Sequence, residues 1–357
     1  MKYLALCGST GSIGTQALTL LKELSLKEHL IALVAGKNEA LLKAQVAEFG
    51  VRHFALSSSD DGASELLDEL ALEFGGRNLV VINAIVGFAG LKTSAKALDL
   101  GAKLLLANKE SLVAAGCFLD CSEIIPIDSE HAAIWQLLRA QNLAEIEEML
   151  ITASGGAFWH KSREEIAGLP ASAALKHPTW SMGAKITIDS ASMANKLFEC
   201  LEAFHLFGFS KVNALREKSS SIHAALRYKN GSMSFAASLP DMKLAIGSAI
   251  YEALSLPQKE AFIKPLDLLN FSPVFEEIDE QKFRIFSLRQ SLIENPKLGV
   301  LINAANDVFV QKYLNNDCGF LDIERAIFSS LDSFSGESCK SLEDVFRLNA
   351  LVKESLA

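Results

Sequence analysis

Tyr3-Leu4-Ala5-Leu6-Cys7-Gly8-Ser9-Thr10-Gly11-Ser12-Ile13-Gly14 is the stretch whose reading decides the fold. A short apolar run with strand character passes directly into glycines at every third position, and helical periodicity begins at about Ser12. A strand, glycine turn and helix in that order let backbone N–H groups and a helix N-terminus face a pyrophosphate. The spacing is G-x-x-G-x-x-G, where the usual dinucleotide fingerprint is G-x-G-x-x-G. A tight glycine turn of packing value alone is the competing reading. Working outward, strand-like runs recur at Leu30–Ala35, His53–Leu56, Leu79–Asn83, Lys103–Leu106 and Glu123–Ile127, with helical periodicity between them. Repeated βαβ units of this size predict an α/β domain with a Rossmann-like parallel sheet covered on both faces.

Beyond Glu130 the pattern is mixed. A strand-like run over Met149–Ala153 meets Ser154-Gly155-Gly156, Leu169–Gly183 reads as a long loop, and Lys229-Asn230-Gly231 joins two strands of a hairpin. Leu256–Pro265, with two of the eight prolines, reads as a linker, and the remainder to Ala357 reads as helices with Phe and Leu at spacings of three and four. The expected division is a nucleotide domain over 1–128, an α+β catalytic domain over 129–251, a linker over 252–268 and a C-terminal helical bundle over 269–357.

Composition narrows the class. The 357 residues are half apolar and 22% charged, which excludes disorder as the main state. Net charge is −9, from 34 basic and 43 acidic residues, a poor balance for sequence-independent nucleic-acid binding. Mean hydropathy is +0.22, yet no apolar run reaches the ~18 residues of a membrane span. The first residues lack the apolar run of a signal peptide. Cys7, Cys117, Cys121, Cys200, Cys318 and Cys339 are scattered without a C-x-x-C pair, as expected of reduced thiols in a cytoplasmic protein.

The end of the second strand bears on the choice of nicotinamide cofactor. NAD sites place an acid there for the ribose 2′-hydroxyl; here Gly36-Lys37-Asn38 follows, and no acid occurs before Glu39. Lys37 suits a 2′-phosphate, with Asn38 adding a donor, so NADPH is expected. Two further strand ends, Ala84-Ile85-Val86-Gly87 and Ala107-Asn108-Lys109-Glu110-Ser111, fall where open parallel sheets bind ligands.

Ile127-Asp128-Ser129-Glu130-His131 brings two carboxylates to i and i+2. Oxygen ligands of this kind suit Mg²⁺ or Mn²⁺. Asp-Ser-Glu is equally a helix-capping sequence. In Asp189–Glu199, helical spacing puts Asn195, Lys196 and Glu199 on one face, able to hold a phosphate and a metal. A solvated helix carrying a Lys–Glu pair has the same spacing.

Together and in order, Gly8–Gly14, Ala35–Asn38, Ala84–Gly87, Ala107–Ser111, Asp128–His131, Ser154–Gly156, His177–Gly183 and Asn195–Glu199 resemble the 1-deoxy-D-xylulose 5-phosphate reductoisomerase family. The likeness runs on through Leu301-Ile302-Asn303-Ala304-Ala305-Asn306. It implies an NADPH- and divalent-metal-dependent enzyme that rearranges a phosphorylated ketose and reduces the resulting aldehyde, acting as a homodimer without nucleic-acid or membrane partners. Thr10, Gly11, Ser12, Ile13, Gly36, Lys37, Asn38, Asn108, Glu110 and Gly183 then correspond to NADPH contacts. Asp128, Glu130 and Glu199 correspond to metal ligands. Lys109, Ser129, Glu130, Ser154, His177, Ser190, Asn195, Lys196 and Glu199 correspond to substrate contacts. Lys109, Glu130, His177 and Trp180 stand in catalytic positions, Trp180 on a flap over the substrate. The family's His-Pro-Gln-Ser stretch is replaced by Glu217-Lys218-Ser219-Ser220 ahead of His223, and Ala184 stands where a basic residue is common. Two rival readings are a metal-independent NADPH-linked dehydrogenase and a non-catalytic dinucleotide sensor.

Overall fold

The computed structural model describes residues 2–57, 62–139, 141–180, 182–258 and 260–357. They fall into two units, each with its own sheet.

The first unit comprises Met1–Ser111, Leu119–Ala132 and Asp241–Lys264. Its strands β1 (Tyr3–Cys7), β2 (Leu30–Ala35), β3 (His53–Leu56), β4 (Leu79–Asn83), β5 (Lys103–Leu106) and β6 (Ile124–Pro126) form a six-stranded sheet in the order β3-β2-β1-β4-β5-β6. Every pairing is parallel. The helices α1 (Ser12–Glu23), α2 (Glu39–Phe49), α3 (Gly62–Phe74) and α4 (Gly90–Asp99) make the crossovers. All five residues of β4 are buried, which explains its uninterrupted apolar run. The chain reverses direction across the sheet between β1 and β4, so a crevice opens at their carboxyl ends. The helices α5 (Lys109–Ala115) and α6 (Ser129–Leu138) begin just past β5 and β6.

The second unit comprises Leu112–Phe118, Ala133–Pro240 and Pro265–Ala357. Its sheet joins β7 (Ile146–Ala153), β8 (Val212–Glu217), β9 (Ile222–Tyr228), β10 (Met233–Ala237) and, later in the chain, β11 (Phe275–Glu277), in the order β10-β9-β7-β8-β11. Only β7 and β8 pair in parallel. The short helices α7 (Arg163–Ala167) and α8 (Ala171–Ala174) precede α9 (Ala184–Ser192) and α10 (Ala194–Phe207), and α10 packs on β7 and β8. Met193, between α9 and α10, has φ +63°, which bends one helix sharply into the next.

The units depart from the expected bounds in two places. First, α11 (Met242–Ala253) lies with the parallel sheet, against α1, β5 and β6, and not with residues 129–240. Its buried Ala245, Ile246, Ala249 and Ile250 form an apolar face that needs such a cover, and Lys243 pairs with Glu23 on α1 at 2.7 Å. Gly247 admits the Phe262 ring so closely that a Cβ would lie 2.8 Å from it, so most of the expected linker packs in this unit too. Second, the helices α12 (Arg289–Glu294), α13 (Gly299–Leu314), α14 (Phe320–Phe334) and α15 (Leu342–Ser355) belong to the same unit as the mixed sheet. Arg163 on α7 pairs with Glu324 on α14 at 2.6 Å, and Tyr313 donates to Leu169 O at 2.9 Å. Among the described residues no helix is long and apolar enough to cross a membrane.

Candidate active site

The glycine turn is built for close backbone approach. Gly8 has φ +89°, and a Cβ there would lie 2.5 Å from Ala84 O; a Cβ on Gly14 would lie 2.2 Å from Gly8 O. Gly11 caps α1 without any side-chain hydrogen bond, so the first-turn N–H groups keep their partial positive charge for a ligand. This cradle fits a pyrophosphate flanked by Thr10, Ser12 and Ile13. At the end of β2, Gly36, Lys37 and Asn38 are exposed. Asn38 Oδ1 accepts from Leu41 N at 3.1 Å and caps α2, which leaves its amide nitrogen as the donor.

Asn108, expected to touch the cofactor, is buried and its amide organises the neighbouring loop. Nδ2 donates to Ile85 O at 2.7 Å, Gly87 O at 2.8 Å and Glu110 Oε2 at 3.0 Å, and Oδ1 accepts from Ser111 N at 3.1 Å. Asn83 completes this support, donating to Gly90 O and Ser94 Oγ at 2.8 Å each and accepting from Ile85 N at 3.1 Å. Sequence reading gave no role to Asn83 or Ser94; for Asn83 the signal was a polar residue ending an apolar strand.

The first acidic cluster sits at the start of α6. Asp128 Oδ1 accepts from Glu130 N at 3.2 Å, so the capping role is real, and it also meets His131 Nδ1 at 3.0 Å. Asp128 Oδ2 receives Lys109 Nζ at 3.0 Å, an ion pair at which both side chains are largely buried. Ser129 Oγ donates to Glu130 Oε2. His131, fully buried, was not among the expected site residues, although it stands at helical spacing from Asp128.

The second cluster lies on α10. Asn195 Nδ2 donates to Glu199 Oε1 and Lys196 Nζ to Glu199 Oε2, all three residues buried. Each cluster by itself offers hard carboxylate oxygens beside one ammonium, the kind of donor that Mg²⁺ or Mn²⁺ takes.

Ser154, His177 and Ser190 converge on one another. His177 Nε2 lies 2.9 Å from Ser154 Oγ and 3.2 Å from Ser190 Oγ. Its Nδ1 accepts from Trp180 N at 2.9 Å and Thr179 N at 3.3 Å. A nitrogen that accepts from N–H carries no proton, so the neutral ring bears its proton on Nε2. Burial, and then the Lys196 ammonium, pull this imidazole down to about 4. The ring is therefore a neutral donor, and with Lys196, Asn195 and two hydroxyls it can grip a dianion.

The loop behind this cradle is pinned. A Cβ on Gly156 (φ +63°) would lie 2.6 Å from Ser190 O, and Arg216 Nε donates to Ser154 O at 3.2 Å. Arg216 also pairs with Glu276 and covers the Trp159 ring at 5.0 Å. Sequence reading missed Arg216, which lies 62 residues from the loop it holds.

The flap segment, 177–183, includes residue 181, outside the described residues. Trp180 is half-buried, with its ring 6.5 Å from that of His223, whose Nε2 is 2.9 Å from Ser238 Oγ. The substituted stretch forms the turn below the flap. Glu217 accepts from Ser219 N at 3.0 Å, Ser221 N at 2.9 Å and Ile222 N at 3.3 Å. Burial would raise its carboxyl, but these donors hold it below the ordinary range. Ser220 Oγ meets Thr179 Oγ1 at 3.2 Å, so this turn touches the flap directly. Gly183 is exposed at the N-cap of α9, with open space where a Cβ would stand.

Three protein-family models match the chain. They are 1-deoxy-D-xylulose 5-phosphate reductoisomerase over residues 4–116, the C-terminal domain of that enzyme over 124–207, and the DXP reductoisomerase C-terminal domain over 237–355. The chain is 44% identical to 1-deoxy-D-xylulose 5-phosphate reductoisomerase of Campylobacter fetus, over 98% of each chain. It is also 44% identical to that of Campylobacter hominis, over 97% of this chain and 96% of the relative. A crystal structure of DOX-P reductoisomerase in complex with NADPH, fosmidomycin and magnesium aligns over 100% of this chain and 97% of its own, with TM-score 0.86 and 30% identity. The Zymomonas mobilis enzyme in complex with NADPH aligns over 100% and 98%, with TM-score 0.83 and 31% identity.

Proposed function

The chain belongs to the 1-deoxy-D-xylulose 5-phosphate reductoisomerase family, and we infer that it converts 1-deoxy-D-xylulose 5-phosphate to 2-C-methyl-D-erythritol 4-phosphate in isoprenoid biosynthesis, using NADPH and a divalent metal ion. The site residues divide this work. NADPH binds through the Thr10–Ile13 turn, Gly36, Lys37, Asn38, Asn108, Glu110 and Gly183. Asp128, Glu130 and Glu199 hold the metal, Mg²⁺ or Mn²⁺. A divalent ion held there would supply Lewis-acid polarisation, and NADPH would supply the hydride.

The remaining steps fall to this chain's own groups. Lys109 Nζ, fixed by Asp128, meets oxyanion charge as the carbon skeleton rearranges. Ser129 and Glu130 orient the reacting end. Ser154, His177, Ser190, Asn195 and Lys196 hold the phosphate, which supplies binding energy away from the reacting atoms. Holding both fragments in place favours recombination over escape, and Trp180 excludes water from the aldehyde.

The observation that carries this reading is the placing of His177 Nε2 between Ser154 Oγ and Ser190 Oγ, a preformed neutral-donor cradle. The test is NADPH oxidation on 1-deoxy-D-xylulose 5-phosphate before and after chelation. Turnover lost on chelation and restored by Mg²⁺ is the expected result; metal-independent turnover would contradict the ligand set.

Homodimerisation is part of the proposal. Met233 and Phe235 on β10, Phe275 on β11, and Val274 before it are exposed apolar residues at the edges of the mixed sheet. A second copy of the chain is the occupant such a face suits. A cytoplasmic location accords with six cysteines that are all free thiols.

A further inference from the structure

Asp189 and Ser190 are consecutive residues near the end of α9, and their side chains serve different partners. Ser190 Oγ reaches the His177 ring. Asp189, 4% exposed, uses both carboxylate oxygens elsewhere. Oδ1 accepts from Asn306 Nδ2 on α13 at 2.8 Å, and Oδ2 accepts from Lys185 Nζ one turn back on α9, also at 2.8 Å. Lys185 Nζ stands 3.4 Å from Asp307 Oδ1, and Asp307 Oδ2 stands 3.4 Å from Lys353 Nζ on α15. Polar contacts thus run from the phosphate cradle's helix to two helices of the C-terminal bundle.

The orientation of Asn306 follows from chemistry: a carboxylate only accepts, so Nδ2 must face Asp189. The other amide atom, Oδ1, is buried without a hydrogen-bond partner. A buried, half-satisfied amide costs stability that an apolar residue of similar shape would not lose. Asparagine here therefore does something packing does not require. On the opposite side, the Ser190 backbone is fixed by Gly156, where no Cβ could fit. Ser190 is wedged between the 154–156 loop and the Asp189–Asn306 contact. A turn of α9 about its axis would carry the hydroxyl out of the cradle.

We infer that Asp189, held by Asn306, is a positioning residue for the substrate phosphate: it sets Ser190 Oγ against His177, so that α13 governs the grip on the phosphate. The inference rests on the reading of Ser154, His177 and Ser190 as the phosphate site.

The test uses the full-length enzyme and the Asn306→Leu variant, which keeps the branched shape and removes the donor. Each is assayed on 1-deoxy-D-xylulose 5-phosphate, on unphosphorylated 1-deoxy-D-xylulose, and with inorganic phosphate as competing inhibitor. Loss of a hydrogen bond to a charged group predicts a fall in kcat/KM for the phosphorylated ketose of roughly ten- to hundredfold. The inhibition constant of phosphate should rise in parallel. The unphosphorylated ketose and the KM for NADPH should change by less than about twofold, since neither engages the cradle. Lys185→Gln, which leaves Asn306 in place, should show the same split at smaller size and serves if Asn306→Leu does not fold. Equal losses on both ketoses, or a matching rise in the KM for NADPH, would show that Asn306 serves the fold alone and overturn the inference. Wild-type enzyme indifferent to the phosphate would instead overturn the cradle reading, and the inference with it.

Discussion

His177 accepts from the backbone nitrogen of Trp180 at 2.9 Å with one ring nitrogen, while its other nitrogen stands 2.9 Å from Ser154 Oγ in the proposed phosphate site. One imidazole therefore ties the 177–180 turn to the Ser154 and Ser190 hydroxyls. An asparagine can replace Nδ1 as acceptor and a glutamine can replace Nε2 as donor, but neither side chain does both. His177→Asn should keep the flap turn and loosen the phosphate; His177→Gln should do the reverse. His177→Asn should lower kcat/KM for the phosphorylated ketose by about tenfold or more, the worth of one charge-assisted hydrogen bond, and His177→Gln by roughly two- to tenfold, the worth of a neutral one. Steady-state kinetics decide it, and wild-type values in either variant would remove His177 from the site.

The grip of Asn195 and Lys196 on both oxygens of Glu199 bears on metal use. Glu199→Gln keeps the shape and removes the charge a divalent ion needs. Metal-dependent NADPH oxidation should be abolished, while NADPH binding, followed by its fluorescence, should be nearly unchanged. Normal turnover in that variant would exclude Glu199 as a ligand.

These features were unequally legible in the sequence. Gly8, Gly11 and Gly14 announced the parallel-sheet unit because a strand, turn and helix are local and their spacing is visible. Asp128, Glu130, Lys196 and Glu199 were legible for the same reason, as short-range clusters. What escaped depends on long-range packing: α11 returning to the parallel sheet, Arg216 reaching Ser154, and Asn306 reaching Asp189 across 117 residues. No periodicity encodes such contacts, and a residue such as Asn83 reads as the end of a strand until its partners are seen.

His205, near the end of α10, lies against Gly116, and its Nε2 is buried without a partner. Burial pulls the imidazole down to about 4 from 6.5. The folded chain therefore binds fewer protons than the unfolded chain between those values, and stability rises with pH there. The contribution is complete above pH 6.5 and is lost as the pH falls towards 4, by about 3 kcal/mol at most. His205→Gln should flatten that part of the stability–pH curve, measured by denaturant unfolding at a series of pH values. An unchanged slope would mean that the imidazole protonates in place.

Lys37 stands exposed just past β2, where a 2′-phosphate would separate NADPH from NADH. Lys37→Ala should raise the KM for NADPH roughly tenfold, the worth of a hydrogen bond to a charged group, and leave that for NADH within about twofold. Equal effects on the two cofactors would remove the 2′-phosphate from its role.

Gly14 and Gly36 separate two reasons for a glycine. At Gly14 the fold demands it, because a Cβ would lie 2.2 Å from Gly8 O and 2.7 Å from Ser9 Cα. Gly14→Ala should destabilise the protein by about 1–3 kcal/mol and weaken NADPH together with stability. At Gly36 the folded chain demands nothing: no atom lies within 4 Å of the place a Cβ would take. Alanine there should leave the melting temperature unchanged or raise it, since Gly→Ala at an unstrained position stabilises by about 0.4–1 kcal/mol. If Gly36 is kept for the cofactor's close approach, Gly36→Ala should still raise the KM for NADPH several-fold. Thermal unfolding and KM measured on the same preparations separate the cases. A Gly36→Ala enzyme with wild-type KM would place the cofactor away from that turn, whatever Lys37 does.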